Sequence, residues 1–290
     1  MCISCCTFTI RSTITLFDIC CCISERLYFI TTQQSLMAIK AYILDLDGVI
    51  YLGSDVVAGA VDSVNQLWDH ARVLFLTNNS TRSRDIVAAR LNAFGIKCTK
   101  NDVITAGYAA AAYIKKHHGV RTVYAIGEAG LIEELQAQGH TICEDADFVV
   151  VGLDRDLHYD KLRIGLQNIV NGAEFIATNT DPVLLTEHGF VPGSGAIVRA
   201  LETAAGVSPL VIGKPEPPIT DIVLDSLKLQ ASECAIVGDR LETDILAGVR
   251  CGMSTVLVLS GVETMESLKH SEIEPDYVIG SISELAQIEW

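Results

Sequence analysis

Four short apolar runs constrain the fold of this chain most, because each of them ends abruptly in polar residues. The runs cover residues 41–44, 73–76, 210–213 and 235–238. Segments with apolar residues at helical spacing lie between them, and this alternation predicts helices packed on a parallel sheet. The carboxyl ends of parallel strands meet at one edge, where open α/β sheets bind ligands. We therefore expect the four polar ends to lie close together.

The first run ends in a pair of acids, Asp45 and Asp47, which Gly48 follows. Residues i and i+2 of an extended chain share a face, so both carboxylates can reach the same small volume. Close carboxylates repel one another, and a divalent cation relieves that repulsion. A carboxylate can also attack phosphorus to form an aspartyl-phosphate. An acid that ends a strand can equally cap the next helix, so the pair alone decides nothing.

The other three runs end in groups that suit a phosphate and a metal: Thr77-Asn78-Asn79, Lys214, and Asp239 with Asp244 five residues on. Each end has a plainer interpretation. Thr77-Asn78-Asn79 can form an ordinary turn, Lys214 can be a solvated lysine, and Asp239 and Asp244 can be acids favoured at the start of a helix. All four ends in this order favour a phosphate and metal site over four separate coincidences.

These motifs resemble those of the haloacid dehalogenase-like (HAD) hydrolases, and most closely the NagD-like, 4-nitrophenylphosphatase-like subfamily IIA. The resemblance covers roughly residues 37–290 and rests on residues 45–51, 76–81, 213–215 and 238–245, with further similarity at 179–181 and 192–195. It departs from the subfamily at Thr180, where relatives usually carry proline. It implies a doubly wound parallel-sheet (Rossmann-like) core with an inserted C2-type α/β cap.

The order of the predicted elements agrees with such an insertion. A second series of strands and helices starts at Val120 and lies between the second and third polar ends. We predict a core domain made of residues 37–119 and 209–290, and a cap domain made of residues 120–208. A core without this cap is expected to keep slow hydrolysis of an activated ester and to lose its preference among substrates.

The first 36 residues differ from the rest, since they hold six of the ten cysteines. Arg11, Asp18 and Glu25 interrupt them, so no uncharged stretch approaches the ~20 residues of a membrane span. We predict that residues 1–36 are a disordered extension or a misassigned start, because Met37 directly precedes the first strand. The other cysteines are scattered singly and predict reduced thiols in a cytoplasmic protein.

The chain has a net charge of -15 at pH 7. This excess of acid argues against nucleic acid and anionic membranes as partners. The expected partner is a small phosphorylated metabolite, which needs local positive charge from a metal, Lys214 and backbone N–H groups. The resemblance further implies a homodimer that pairs through the cap.

The resemblance implies a role for each acid of the site. Asp45 would attack phosphorus, and Asp47 would protonate the leaving alcohol and then activate water. Mg²⁺ would be held by the carboxylates of Asp45 and Asp239 and by the main-chain carbonyl of Asp47, in line with its preference for oxygen ligands. Asp244 would orient these ligands from behind.

The phosphate would be held by the Thr77 hydroxyl, by the N–H groups of Asn78 and Asn79, and by Lys214 as a compact cation. Two residues of the predicted cap, Asn179 and Asp181, are candidates for contacting the leaving group by resemblance only. An ordinary glycine-containing loop explains that segment equally well.

These assignments predict a Mg²⁺-dependent phosphatase that hydrolyses small-molecule phosphate monoesters through an aspartyl-phosphate. One alternative is a phosphomutase of the same superfamily, although a sizeable cap that closes one chamber fits hydrolysis better. Another is a non-catalytic sensor of phosphate ligands, against which Asp47 argues because a sensor needs no acid/base residue. Nucleoside monophosphates, sugar phosphates, glycerol phosphate, phosphoglycolate and pyridoxal phosphate all stay open as substrates.

Overall fold

A computed structural model of the chain describes residues 39–290 except 187 and 188. The predictions for residues 1–36 and Met37 therefore lie outside the described residues. In the described part, every helix is too short or too polar to cross a membrane.

The described residues alternate between strands and helices along most of their length. In chain order the strands are β1 Ala41–Leu44, β2 Tyr51–Leu52, β3 Asp55–Val56, β4 Arg72–Thr77, β5 Val103–Thr105, β6 Thr122–Ile126, β7 Thr141–Ile142, β8 Phe148–Val151, β9 Glu174–Ala177, β10 Val183–Thr186, β11 Gly189–Pro192, β12 Leu210–Val211, β13 Cys234–Gly238, β14 Ser254–Val258 and β15 Tyr277–Ile279. The α-helices are α1 Ala60–Leu67, α2 Arg84–Ala93, α3 Ala106–His118, α4 Ala129–Ala137, α5 Tyr159–Val170, α6 Ser194–Ala205, α7 Pro217–Leu227, α8 Leu246–Cys251 and α9 Met265–Lys269.

The larger sheet has six strands in the order β15-β14-β13-β1-β4-β5, and every neighbouring pair is parallel. The chain runs outward from β1 through β4 to β5, and later from β13 through β14 to β15. The strand order therefore reverses between the neighbours β1 and β13, which is where such sheets form their ligand crevice. This topology confirms the predicted doubly wound parallel sheet.

Both faces of this sheet are covered, which explains why its strands read as continuous apolar runs. All four residues of β1 are buried. Ile43 packs into a hydrophobic cluster on one face, and Leu44 packs into a second cluster on the other. Helices α1 and α2 contribute Val64 and Leu91 to the second cluster.

The second sheet has five parallel strands in the order β12-β9-β8-β6-β7. Strand β12 pairs with Ile176 and Ala177 of β9. The prediction that the apolar run 210–213 belongs to the larger sheet is therefore wrong. Helix α6 ends at Ala205. The short connection after this helix returns the chain to the second sheet, beside β9, as a crossover connection does.

One hydrophobic cluster joins the two sheets. It contains Leu74 and Ile236 from the larger sheet together with Val150 and Ile176 from the second. Helix α3 lies in this cluster and contributes buried alanines, whose small side chains allow close packing. The two sheets therefore share one hydrophobic cluster, while each sheet packs a further cluster of its own.

Two hairpins lie outside these sheets. Strands β2 and β3 pair directly after Gly48, and Arg90 of α2 holds this hairpin by stacking 3.9 Å over the Tyr51 ring and donating to the Gly53 carbonyl. The second hairpin, β10 with β11, was not predicted from the sequence. Its Phe190 is 75% exposed, so no buried face gave this segment a strand pattern.

Candidate active site

Two aspartates end neighbouring strands at the point where the strand order reverses. Asp45 follows β1, and its N–H donates to the Val237 carbonyl at 2.9 Å, which continues the ladder between β1 and β13. Asp239 directly follows β13. Since neighbouring strands lie about 4.8 Å apart, their ends place these two carboxylates side by side.

Asp244 joins this pair. A π-helical turn over Leu241–Ile245 precedes α8. Such turns occur often at functional sites. Asp45, Asp239 and Asp244 each offer a carboxylate oxygen, and these oxygens lie within 4.8 Å of one another. Asp244, which was predicted to stand behind the metal ligands, therefore lies in the same cluster as they do.

Lys214 is the cation of this cluster. Its Nζ donates to Oδ1 of Asp45 and to Oδ1 of Asp244, both at 2.6 Å, and to the Leu76 carbonyl at 3.2 Å. Its side chain is only 3% exposed. Burial acts to lower the pKa of Lys214, but the charges of Asp244 and Asp45 outweigh burial and raise the pKa above its usual value.

The carboxylates carry more charge than the lysine balances. Burial raises the pKa of Asp45 well above its ordinary value, against the opposing effect of Lys214. Burial and the charge of Asp244 raise the pKa of Asp239 to about 6. Three carboxylates and one ammonium leave two negative charges when all are ionised. The donor set therefore fits a divalent cation with oxygen ligands.

The Asp239 carboxylate is held in a narrow slot between two glycines. A Cβ atom would lie 2.3 Å from its Oδ2 if placed on Gly48, and 2.0 Å if placed on Gly261. The Val262 N–H donates to the same oxygen at 2.8 Å. Sequence reasoning did not identify this loop, although its position after β14 places it at the same edge of the sheet.

Asp47 lies at the open side of the crevice, and its side chain is exposed. The surrounding crevice walls raise its pKa by desolvation, while the charges of Arg90, Lys214, Arg240 and Arg82 act to lower it. The positive charge expected from the sequence came from a metal, Lys214 and backbone groups, and these three arginines were not predicted. Arg240 directly follows Asp239, which is the only signal that the sequence offered.

The loop after β4 places the predicted phosphate-binding residues. Thr77 is buried, and its hydroxyl accepts from the Asn79 N–H at 3.1 Å. The exposed Asn79 side chain accepts from the Thr81 N–H at 2.8 Å. Because the Leu76 carbonyl of the same strand accepts from Lys214, this loop lies beside the acid cluster.

The two candidates from the predicted cap also reach this loop. Asn179 donates through Nδ2 to the Asn78 carbonyl at 2.8 Å, and Asp181 accepts from the Asn78 amide at 3.4 Å. Burial raises the pKa of Asp181. The structure thus brings all ten predicted site residues to one crevice, while their individual roles stay predictions.

Comparison with known proteins agrees with this geometry. A family model described as haloacid dehalogenase-like hydrolase matches residues 42–141, and a HAD-hydrolase-like model matches residues 211–285. An acid sugar phosphatase from Staphylococcus haemolyticus is 41% identical over 241 residues, which cover 82% of this chain and 92% of that protein.

Solved structures show the same similarity. A p-nitrophenyl phosphatase from Archaeoglobus fulgidus superposes with a TM-score of 0.83 at 37% identity, covering 86% of this chain and 99% of that one. A glycerol phosphate phosphatase from Mycobacterium tuberculosis in complex with calcium has a TM-score of 0.79 at 34% identity, covering 85% and 74%.

The fold and the site define a class of α/β hydrolases with an acid cluster where the strand order of the main sheet reverses. The family models and the relatives agree on the family within this class. The chain belongs to the haloacid dehalogenase-like hydrolases.

Proposed function

We propose that this protein is a Mg²⁺-dependent phosphatase that hydrolyses small-molecule phosphate monoesters through an aspartyl-phosphate on Asp45. One observation carries the proposal. The buried ammonium of Lys214 binds Asp45 at 2.6 Å, while Asp47, two residues further on, is an exposed residue. A nucleophile with a fixed cation and a separate acid/base group are the parts that this two-step hydrolysis needs.

In the first step, a carboxylate oxygen of Asp45 attacks phosphorus and the bond between phosphorus and the ester oxygen breaks. Asp47 gives its proton to the departing alcohol. The raised pKa of Asp47 keeps a proton available for this transfer. Lys214 stabilises negative charge on the phosphoryl oxygens, and Thr77 and the N–H groups of its loop hold the remaining oxygens.

In the second step, Asp47 accepts a proton from water, and the water oxygen attacks phosphorus. The bond to Asp45 breaks, inorganic phosphate leaves and the carboxylate is restored. The exposed position of Asp47 gives it access to this water. Asp47 is thereby returned to its protonated form for the next turnover.

The carboxylates of Asp45 and Asp239 and the main-chain carbonyl of Asp47 would hold Mg²⁺. The cation neutralises charge on the phosphoryl group when bound. Asp244 binds Lys214 at 2.6 Å and would position both the lysine and the ligands. The slot formed by Gly48 and Gly261 fixes the Asp239 carboxylate for this purpose.

The names of three relatives support a substrate class, since they are named for sugar phosphates, p-nitrophenyl phosphate and glycerol phosphate. We propose phosphate esters of small polyhydroxy alcohols. Asn179 and Asp181 would contact the alcohol from the cap. Their carboxylate and amide oxygens accept hydrogen bonds from hydroxyl groups.

We retain the division into a core domain and a cap domain that carries the second sheet, with one change. Because β12 belongs to the second sheet, the return to the core falls after Val211 rather than after Ser208. We also propose a homodimer that pairs through the cap, which exposes Tyr159, Val170 and Phe190. A cytoplasmic location accords with four unpaired cysteines in the described part of the chain.

A panel of phosphomonoesters assayed for released phosphate tests the proposed function. It includes sugar phosphates, glycerol phosphate and 4-nitrophenyl phosphate, each with Mg²⁺ and with EDTA, and Asp45→Asn serves as the inactive control. We expect Mg²⁺-dependent release that the control lacks. A requirement for a bisphosphate would indicate a phosphomutase instead, and tight binding of esters without turnover would indicate a sensor.

A further inference from the structure

The side chain of Asn78 makes a two-point contact with the backbone of Lys214. Its Oδ1 accepts from the Lys214 N–H at 2.8 Å, and its Nδ2 donates to the Lys214 carbonyl at 3.0 Å. One carboxamide thus satisfies both backbone groups of one residue. The proposed function uses only the backbone N–H of Asn78, so this contact has no role in it.

The position of Lys214 in the fold explains why such a contact is needed. It follows β12 of the second sheet, whereas the carboxylates that it binds follow strands of the larger sheet. A lysine side chain has four rotatable bonds, and ordering it costs rotamer entropy. Two hydrogen bonds to the backbone fix the position and the orientation of its Cα. The side chain then has only to extend into the cluster.

The residue before the lysine fits this arrangement. A Cβ atom on Gly213 would lie 2.7 Å from Oδ1 of Asn78 and 2.5 Å from the Thr178 carbonyl. Its N–H donates to that same carbonyl at 2.8 Å. A larger residue would push the segment away from Asn78. Glycine therefore permits the close approach on which the contact depends.

Asn78 also connects this segment to the two cap candidates. Its main-chain carbonyl accepts from Asn179, and its amide lies 3.4 Å from the Asp181 carboxylate. The three partners of Asn78 all lie more than 100 residues along the chain. One residue of the phosphate loop therefore ties the lysine and the cap together.

We propose that Asn78 is a positioning residue that acts through Lys214 and holds its ammonium against Asp45. This inference rests on the proposed function, in which Lys214 stabilises the phosphoryl group. Asparagine is required because the contact needs one acceptor and one donor. Aspartate can accept from the Lys214 N–H, but it cannot donate to the carbonyl and would repel Asp181.

A double-mutant cycle tests whether Asn78 acts through the lysine. Asn78→Ala and Lys214→Met are made singly and together, and kcat/KM for 4-nitrophenyl phosphate and Kd for inorganic phosphate are measured. We expect Asn78→Ala to lower kcat/KM by ~10- to 100-fold when Lys214 is present. In the Lys214→Met background the same change should cost less than about twofold, because the group that it positions is gone.

Asn65→Ala is the matched control, because the amide of Asn65 on helix α1 also donates to a backbone carbonyl, that of Gly95 just after helix α2. It should leave kcat/KM within about twofold of the wild type. Thermal melting checks that each variant is folded. If Asn78→Ala does not fold, Asn78→Ser takes its place in the cycle, since its side chain is uncharged and too short to bridge both backbone groups of Lys214.

Equal losses in both backgrounds would overturn the proposal, because Asn78 would then act independently of Lys214. Unchanged kcat/KM for Asn78→Ala in the presence of Lys214 would overturn it as well. A wild type that hydrolyses no ester would refute the proposed function instead. The cycle is then read from the affinity for inorganic phosphate, where the same non-additivity is expected.

Discussion

The carboxylates of Asp45, Asp239 and Asp244 face a single buried lysine, and this imbalance governs the chemistry of the site. Burial raises the pKa of Asp45 and of Asp239, so without a cation the protonated forms of these two acids are favoured. With a divalent cation, they ionise and balance its charge. Metal binding and proton release are therefore coupled at this site.

The first prediction concerns removal of the metal. Burial raises the pKa of Asp239 from 3.8 to about 6, so its ionisation costs stability as the pH rises through that range. The contribution of Asp239 should therefore give the EDTA-treated protein a higher Tm at about pH 5 than at about pH 7. Mg²⁺ should restore activity and raise the Tm. The increase in Tm should be larger at about pH 7, because Mg²⁺ displaces fewer protons from the site there. Full activity in EDTA, or a Tm that Mg²⁺ leaves unchanged, would contradict the metal site.

The second prediction separates the two half-reactions at Asp47. The 4-nitrophenolate group leaves without needing a proton, so Asp47→Asn should still be phosphorylated on Asp45 by 4-nitrophenyl phosphate. Attack by water should then stall, because the base is gone. Stopped-flow absorbance should show a burst of about one nitrophenolate per site followed by a slow phase. Asp45→Asn is the control and should give no burst. Unimpaired steady turnover by Asp47→Asn would contradict its assignment.

At the scale of elements, helix α4 is pinned to the start of α2. The Arg84 N–H donates to Glu134 at 2.7 Å, and its guanidinium binds the same carboxylate at 3.1 Å while lying 3.5 Å from the centre of the Tyr108 ring. Both charged side chains are nearly buried. A Cβ on Gly130 would lie 2.4 Å from the Arg82 backbone, so the helix start packs tightly as well.

The third prediction is that Glu134→Ala destabilises the fold by about 3 kcal/mol, because it leaves the Arg84 charge without its partner in a nearly buried place. Urea denaturation measures this change. The control is Glu266→Ala, which removes exposed contacts with Lys269 and His270 and should cost below about 0.5 kcal/mol. Equal effects for the two variants would show that the pinned contact contributes no more than a surface pair.

The sequence was most informative for elements whose apolar run ends in a polar residue at the crevice. Strands β1, β4 and β13 were predicted for this reason. Strand β12 was assigned to the wrong sheet, because a ladder of two residues carries too little pattern to select its partner. The exposed β10–β11 hairpin was missed for lack of a buried face.

The residues of the site likewise divide into those that the sequence predicted and those that it did not. The residues that end strands were found from their position alone, since the edge of a parallel sheet gathers them. The side-chain contacts of Asn78 could not be predicted, because the bond to Lys214 joins residues 136 positions apart. Arg82 and Arg90 lie on the loop and helix after β4, and no spacing marks them as neighbours of Asp47.

At the scale of the whole molecule, the shared hydrophobic cluster changes what the cap can do. Val123, Phe148 and Val150 of the second sheet pack in the same cluster as Leu76 of the larger sheet. The ion pair between Arg84 of α2 and Glu134 of α4 adds a further contact between the two parts of the chain. The expectation that the cap is a separable module conflicts with this shared core.

The fourth prediction follows from the shared core. Excision of residues 120–211, which removes the whole second sheet, with a short linker should give an aggregated or unfolded product, because it exposes the apolar residues of α3 that share a hydrophobic cluster with that sheet. Size-exclusion chromatography and far-UV circular dichroism measure the outcome. A folded, monomeric protein that still hydrolyses 4-nitrophenyl phosphate would show that the two sheets are independent.

The central claim is that Asp45 carries the phosphoryl group during turnover. The most direct measurement is acid quenching of the enzyme during steady hydrolysis of 4-nitrophenyl phosphate with Mg²⁺, followed by peptide mapping with mass spectrometry. The account predicts phosphate on the peptide that contains Asp45, more of it in Asp47→Asn, and none in Asp45→Asn. Rapid hydrolysis with phosphate on another residue, or persistence of turnover in Asp45→Asn, would contradict it.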